Sequence, residues 1–204
     1  LATKKKIILI FDECTSGFRQ CLGGLHMKYK VYPDIAMFGK ALGNGFAITS
    51  VIGKKAIMQR AGNSFISSTF WTERIGFAAG IETLKLMKEK KSWKKIVENG
   101  KYFNLMIKSL ATKYDLNLRI SGIESIAAFN FISKKNIAYK TFITQEMLKK
   151  RYLASNLIYL SIFHTKKIID KYINDLDPVF KKISFFEKNN TNIKKFLKKE
   201  VCHQ

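Results

Sequence analysis

Three residues carry side chains whose chemistry could be combined: Asp12, Lys40 and Thr69. Asp12 ends the apolar run Ile7-Ile8-Leu9-Ile10-Phe11, Lys40 follows Ile35-Ala36-Met37-Phe38-Gly39, and Thr69 stands in Ser67-Ser68-Thr69-Phe70-Trp71-Thr72. A carboxylate can pair with a protonated nitrogen, a primary amine can attack a carbonyl carbon, and a hydroxyl can donate to an anion. Each residue alone has an ordinary explanation. A lysine in a chain with 37 Lys and Arg is usually solvated, an Asp after a strand often caps a turn, and a Thr among serines is often a polar loop. Position sets Asp12 and Lys40 apart, because open α/β sheets bind ligands outside the carboxyl ends of their strands.

The elements that must position these groups are written in the apolar pattern. Residues 7–11 form a short β-branched and aromatic run, which predicts a buried strand of a parallel sheet covered on both faces. Pro33-Asp34 starts a second run, Ile35 to Phe38, and a third, Phe46 to Ile52, follows Gly43 and Gly45. Residues 75–90 hold Ile81, Leu84 and Met87 at helical spacing. Ser92 is placed to cap a further helix with Trp93, Ile96, Val97, Phe103, Ile107 and Leu110 on its apolar face. From about residue 115 the pattern changes: strands are expected over 118–120 and 126–132, a helix over 144–152 and a strand over 157–163. Thr165 is expected to cap a long amphipathic segment that Asp177-Pro178 ends, with Asp177 capping the helix after it. The basic tail, 188–204, is expected to be loosely held. The reading is α/β over residues 1–90 and α+β over 91–204.

Composition narrows the function classes. The formal net charge of +22 would suit a polyanion-binding protein. The excess lysine is spread along the whole chain, however, and no RNA-binding, zinc-finger or helix-turn-helix signature accompanies it, so no nucleic-acid partner is expected. No apolar stretch is long enough to span a bilayer, and no signal peptide is evident. Cys14, Cys21 and Cys202 form neither a metal-ligand spacing nor an even disulfide set, which suits a reducing cytoplasm. No metal is expected. The chain begins with Leu and runs almost directly into a strand, and three strands are few for a freestanding doubly wound domain. Both features read as a fragment.

The pattern Phe11-Asp12-Glu13-Cys14-Thr15-Ser16-Gly17-Phe18-Arg19, then Pro33-Asp34, then Gly39-Lys40-Ala41-Leu42-Gly43-Asn44-Gly45 resembles the class III aminotransferases. These are fold-type-I enzymes dependent on pyridoxal 5′-phosphate (PLP). Within them the sequence is most similar to glutamate-1-semialdehyde aminomutase and to relatives acting in surface-sugar pathways. The likeness continues through Ser68-Thr69 and Ala78-Ala79-Gly80, and resumes at Tyr152-Leu153-Ala154-Ser155 and Ser161-Ile162-Phe163-His164-Thr165. The resemblance implies an α/β fold: an incomplete PLP-transferase large domain with a mostly parallel sheet over residues 1–90, then a smaller α+β domain over 91–204. It implies Lys40 as the lysine that binds PLP covalently and later moves a proton, and Asp12 as the carboxylate facing the pyridine nitrogen. Cys14 falls where the family packs Val or Ile on the ring, and Thr15 near the phenolic oxygen, where related enzymes often have Gln or Met. Thr69 matches the hydroxyl that contacts the phosphate across a subunit interface, which implies a homodimer. The glycines around Lys40 would let backbone approach the cofactor.

Two departures accompany the likeness. The family's Thr-x-Ser-Gly-Asn-Pro run reads Thr69-Phe70-Trp71-Thr72-Glu73-Arg74 here, which bears on substrate preference. The phosphate cup and the aromatic that stacks on PLP precede the aspartate strand in this family, and no residue of this chain supplies them. Glu13 and Arg19 are expected to brace the local turn, and His26 and His164 to be structural. Arg74 and Arg119 could hold a substrate carboxylate, although surface or structural ion pairs fit them as well. The expected activity is a PLP-dependent aminotransferase or aminomutase acting on a small-molecule amino donor and a carbonyl acceptor. The alternatives are glutamate-1-semialdehyde 2,1-aminomutase proper, a basic, non-enzymatic polyanion-binding protein, or an inert truncated relative that binds little PLP on its own.

Overall fold

Alternation along one strand organises the first sheet. In the computed structural model, which describes residues 1–69 and 71–201, strand β2 (Ile35–Phe38) buries Ala36 and Phe38 and leaves Ile35 and Met37 partly exposed. That is the period of two that a pleated strand imposes. Cys202, one of the three cysteines, and Phe70, which follows Thr69, lie outside the described residues. β2 is the middle of three strands. β1 (Ile10–Asp12) runs parallel to it with Asp12 opposite Met37, and β3 (Ser50–Gly53) runs antiparallel with Ser50 opposite Phe38. One of the two pairings is therefore parallel.

The chain divides into two compact units, one of them Leu1–Lys94 and the other beginning at Lys95. In the first, α1 (Leu25–Tyr29) follows β1, α2 (Lys55–Met58) follows β3, and α3 (Arg74–Lys90) ends the unit's regular structure. Ala36, Phe38 and Leu42 form its small buried core, with Phe18, Ile48 and Leu84 packed against them. Two glycines one turn apart let α3 lie against residues 42–48. A Cβ on Gly76 would sit 2.4 Å from the Ala47 carbonyl oxygen, and one on Gly80 would touch Ile48 at 3.5 Å. The segment just after Lys40 is thus clamped by a helix.

Strand β1 departs from the expected buried run over 7–11. It is shorter, and Ile7, Ile8 and Ile10 are each more than half exposed, at 59%, 52% and 52%. Residues 1–7 are drawn into turns instead, with the Lys5 amide donating to Leu1 and the Ile7 amide to Ala2. Asp34 fixes where β1 begins: its carboxylate accepts from the Leu9 amide at 2.8 Å, and its own amide donates back to Leu9 at 2.8 Å.

The second unit has a larger core. Helix α4 (Ser92–Lys113) leads to an antiparallel sheet of β4 (Leu118–Ile123), β5 (Ile126–Phe131) and β6 (Leu157–Tyr159), with α5 (Asn136–Lys149) between β5 and β6. α6 (Lys166–Lys188) closes the unit, burying Leu176, Phe180 and Ile183 completely in a cluster with Phe129, Tyr139, Ile143 and Met147. The expected 144–152 helix is the second half of α5, which begins eight residues earlier because Ala138, Tyr139, Phe142 and Ile143 are apolar at helical spacing.

Three expectations about the last third are corrected. Asp177-Pro178 does not break the helix: α6 runs through it with Pro178 inside. A mid-helix proline costs about 3 kcal/mol, but the stripe Ile169, Tyr172, Ile173, Leu176, Val179, Phe180 and Ile183 is buried on both sides of it, and tertiary burial outweighs one lost hydrogen bond. Asp177 caps nothing; its carboxylate accepts from Tyr114 Oη and Lys113 Nζ, both at 2.5 Å. Thr165 does occupy the N-cap position, without a side-chain capping bond. The tail is held as far as it is described, because Ile193 is buried, Leu197 and Val201 pack on the core, and Gln145 bonds to the Phe196 carbonyl and the Lys198 amide.

Candidate active site

At the carboxyl end of β1 the chain turns sharply, and Asp12 starts that turn by accepting a hydrogen bond from the Cys14 amide at 2.9 Å. The Gly17 amide donates to the Glu13 carbonyl at 2.8 Å, and Arg19 Nε reaches back to the Thr15 carbonyl at 2.7 Å. Gly17 is obligatory here: a Cβ would stand 2.7 Å from the Phe38 ring and 2.8 Å from the Glu13 oxygen. Arg19 and Gly17 thus brace the turn that carries Asp12, Cys14 and Thr15.

Glu13 braces it from beneath. It is almost fully buried, and its carboxylate accepts from the amides of Leu25 (2.6 Å) and His26 (2.8 Å), from Ser16 Oγ (2.8 Å) and from His26 Nδ1 (2.8 Å). Burial alone would raise its pKa, but these bonds outweigh burial and hold the carboxyl below the usual carboxylate range. The pair spans 13 residues of sequence, so spacing alone could not reveal it. His26, which has no partner at catalytic or metal spacing in the sequence, has this one in space.

Lys40 lies two residues beyond β2, in a single 3₁₀ turn (Lys40–Leu42), with a positive φ of 42°. A non-glycine residue in the left-handed region is uncommon and marks backbone held by its surroundings. The hold is visible: the Leu42 amide donates to Gly39, the Asn44 amide to Lys40 itself, and buried Gly39 faces Cys14 Sγ and Thr49. Gly43 serves the same turn, since a Cβ there would lie 2.1 Å from the Phe46 carbonyl oxygen, and Gly45 adopts φ 108°. The glycines after Lys40 answer to the chain's own reversal.

Lys40 Nζ donates to Thr15 Oγ1. Asp12 is exposed, and its carboxyl is held below the usual range by the hydrogen bond from the Cys14 amide, by the Cys14 thiol and by the charge of Lys40. Burial and Asp12 together push the Cys14 thiol up, so it stays protonated and apolar. Asp12, Cys14, Thr15 and Lys40 therefore gather around one turn. They do not share one enclosed space. Lys40 lines a cavity of about 620 Å³ with Phe46, Thr49, Ser68, Trp71 and Glu73 among its walls, whereas Asp12 lines one of about 440 Å³ with Glu13, His26 and Tyr29.

Thr69 is exposed, and from its run it is Ser68 and Trp71 that line the Lys40 cavity. Glu73 also caps α3, accepting from the amides of Ile75 (2.7 Å) and Gly76 (3.1 Å). Arg74 and Arg119 are exposed. In the second unit His164 Nδ1 bonds to the Ser161 amide and hydroxyl, both at 2.9 Å, and shapes a loop. Among the described residues no group of three or more His, Cys, Asp or Glu could hold a metal ion, and no helix is long and apolar enough to cross a membrane.

The family model described as aminotransferase class-III matches residues 1–165. Glutamate-1-semialdehyde 2,1-aminomutase of Methanococcus maripaludis strain C6 is 30% identical over 194 residues, covering 87% of this chain and 45% of its own length. 3-Aminobutyryl-CoA aminotransferase of Cloacimonas acidaminovorans is 32% identical over 146 residues, covering 71% and 35%. Among solved structures, the FumI protein of Sphingopyxis sp. MTA144 in its PLP internal aldimine form shares the fold with a TM-score of 0.84 at 20% identity, covering 92% of this chain and 46% of that one. The chain spans less than half the length of these relatives. With the family's pattern matched across most of its residues, the chain belongs to the class-III aminotransferases, a PLP-dependent family.

Proposed function

We propose that the protein moves an amino group with PLP, as an aminotransferase or a 2,1-aminomutase, and that Lys40 holds the cofactor covalently. One observation carries this reading: Lys40 Nζ and the Asp12 carboxylate are tied to adjacent residues, Thr15 and Cys14, at the carboxyl ends of a parallel strand pair. While the phosphate cup belongs to the rest of the enzyme, the donor set suits the cofactor's ring nitrogen and aldehyde. It offers an ionised carboxylate for a protonated ring nitrogen, a primary amine for an aldehyde, and an apolar thiol between them.

PLP supplies an electron sink beside the carbon that carries the amino group. The Asp12 carboxylate, kept charged by Cys14, holds the proton on the ring nitrogen. Lys40 Nζ would hold the cofactor and, once released by the substrate's amine, its amine would carry a proton from one carbon to another. Cys14 would pack on the ring face and Thr15 would stand near the phenolic oxygen. Thr69 would donate to the phosphate in a homodimer.

The substrates are a small-molecule amino donor and a carbonyl acceptor. In an aminomutase the same Lys40 serves both amino-group positions of one substrate, and similar proteins of both kinds support that span. Residues 1–90 form the site-bearing part of a PLP-binding large domain and residues 91–204 a smaller α+β domain, and the activity is that of the whole enzyme they belong to. Free Cys14 and Cys21 suit a reducing cytoplasm. Adding PLP to the whole enzyme is expected to produce a protein-bound visible absorbance band that its Lys40→Ala variant lacks. A spectrum identical to free PLP, or a band that survives Lys40→Ala, would contradict the assignment.

A further inference from the structure

Thr15 and Lys40 are 25 residues apart. The same offset relates every β1–β2 pair: Ile10 to Ile35, Phe11 to Ala36 and Asp12 to Met37. Beyond the strand ends both segments turn, yet the Lys40 amine meets the Thr15 hydroxyl at the same offset. Both partners sit on anchored backbone. Thr15 belongs to a turn fixed at Asp12, Glu13 and Arg19, and Lys40 to one fixed at Gly39 and Asn44. Lys40 is exposed, and a lysine side chain has four rotatable bonds, so its amine would otherwise sample many positions. Thr is stiff at χ1. Its hydroxyl accepts from a charged amine and can donate to a neutral one, so it can follow both protonation states.

We propose that Thr15 is a positioning residue for Lys40, holding Nζ in place whenever that amine is not bonded to the cofactor. The inference rests on the proposed function, because it assigns Thr15 to the interval after the substrate's amine has displaced Lys40, when the freed amine must stay aligned to carry a proton. A methionine or glutamine, which related enzymes often place there, lacks a hydroxyl; this chain meets the requirement with a shorter, stiffer group.

The test uses the whole enzyme to which this chain belongs as parent, with Thr15→Val, which keeps shape and removes the hydroxyl, and Thr15→Ser, which restores it. Three readouts are taken: borohydride fixation of PLP on Lys40 by peptide mass, reductive methylation of Lys40 relative to Lys54 in cofactor-free protein, and the single-turnover rate with protiated and α-deuterated amine donor. Fixation is expected in all three proteins. Thr15→Val is expected to methylate Lys40 severalfold faster, because the amine is no longer engaged. Its proton-transfer step is expected to slow by about 10- to 100-fold with a larger isotope effect, and Thr15→Ser is expected to behave like the parent. Fixation in all three with methylation and isotope effect unchanged in Thr15→Val would overturn the role of Thr15 and leave the proposed function standing. Absence of fixation on Lys40 in the parent would overturn both. Lys54, paired with Asp34 at 2.7 Å in the same unit, reports a folding defect separately, since unfolding would release both lysines from their partners.

Discussion

Asp12 stands opposite Met37 in the β1–β2 register, so its carboxylate leaves the sheet level with the residue three short of Lys40. A strand pair of this kind fixes the spacing of its two loops without any side chain being asked to do so. The acid and the amine reach one turn because of backbone pairing, and the turn then holds each by its own hydrogen bond.

The carboxylate is expected to matter for rate more than for attachment. Asp12→Asn keeps the shape and an acceptor oxygen for Cys14 but removes the charge that pairs with a ring nitrogen. PLP should still be fixed on Lys40 by borohydride, while the half-reaction with an amino donor slows by about 100-fold or more. Stopped-flow absorbance distinguishes this from a loss of binding, which would lower the amplitude and leave the rate unchanged.

Glu13 ties acid stability to the same turn. Its folded pKa is depressed, so its contribution is fully present above its ordinary value of 4.5 and is lost as pH falls through the lower folded value. Glu13→Gln removes the charge that four donors share. It is expected to destabilise the first unit by about 1–3 kcal/mol at neutral pH and by progressively less as the pH falls below 4.5. Urea unfolding at neutral and at acid pH, followed by the fluorescence of Trp71 and Trp93, measures the difference, and equal losses at both would show that the charge is not what stabilises the turn.

Two glycine substitutions should have opposite outcomes. Gly100 lies inside α4, where alanine ordinarily stabilises a helix by about 1 kcal/mol, yet a Cβ there would sit 1.7 Å from the Glu124 carbonyl oxygen. Gly100→Ala is therefore expected to destabilise the second unit by about 2 kcal/mol or more. Gly62 has nothing within 4 Å of the same position, and Gly62→Ala is expected to be neutral or slightly stabilising. Thermal midpoints of the two variants settle the sign.

Pro178 is exposed within α6, and the helix survives it through burial on either side. Pro178→Ala restores a backbone donor and removes a ring clash. After allowance for the greater freedom of the unfolded chain, it is expected to stabilise by about 1–2 kcal/mol. Denaturant midpoints provide the check, and a loss of stability would mean that the proline ring itself packs usefully.

What the sequence made legible was mainly local. The apolar runs at 35–38 and 126–132, the helix over 75–90 and the places of Asp12 and Lys40 at the carboxyl ends of apolar runs all follow from short-range pattern. The stop assigned to Pro178 followed a local rule that the buried stripe of α6 overrides. The exposure of Ile7, Ile8 and Ile10 could not be read from the run itself, because a β-branched run says what a strand would bury and not which neighbours are there to cover it. The Glu13–His26 and Thr15–Lys40 bonds span 13 and 25 residues. The second becomes legible only once the register of β1 on β2 is known, since a constant offset then carries Thr15 to Lys40.

The most direct measurement is a crystal structure of the protein with PLP, because Asp12 and Lys40 line separate cavities here while the proposed chemistry needs them on one ring. Continuous electron density from Lys40 Nζ to the cofactor, with the ring nitrogen within hydrogen-bonding distance of the Asp12 carboxylate, is the expected result. A cofactor joined to another lysine, or a ring that leaves Asp12 facing solvent on the far side of the Cys14–Thr15 turn, would contradict it.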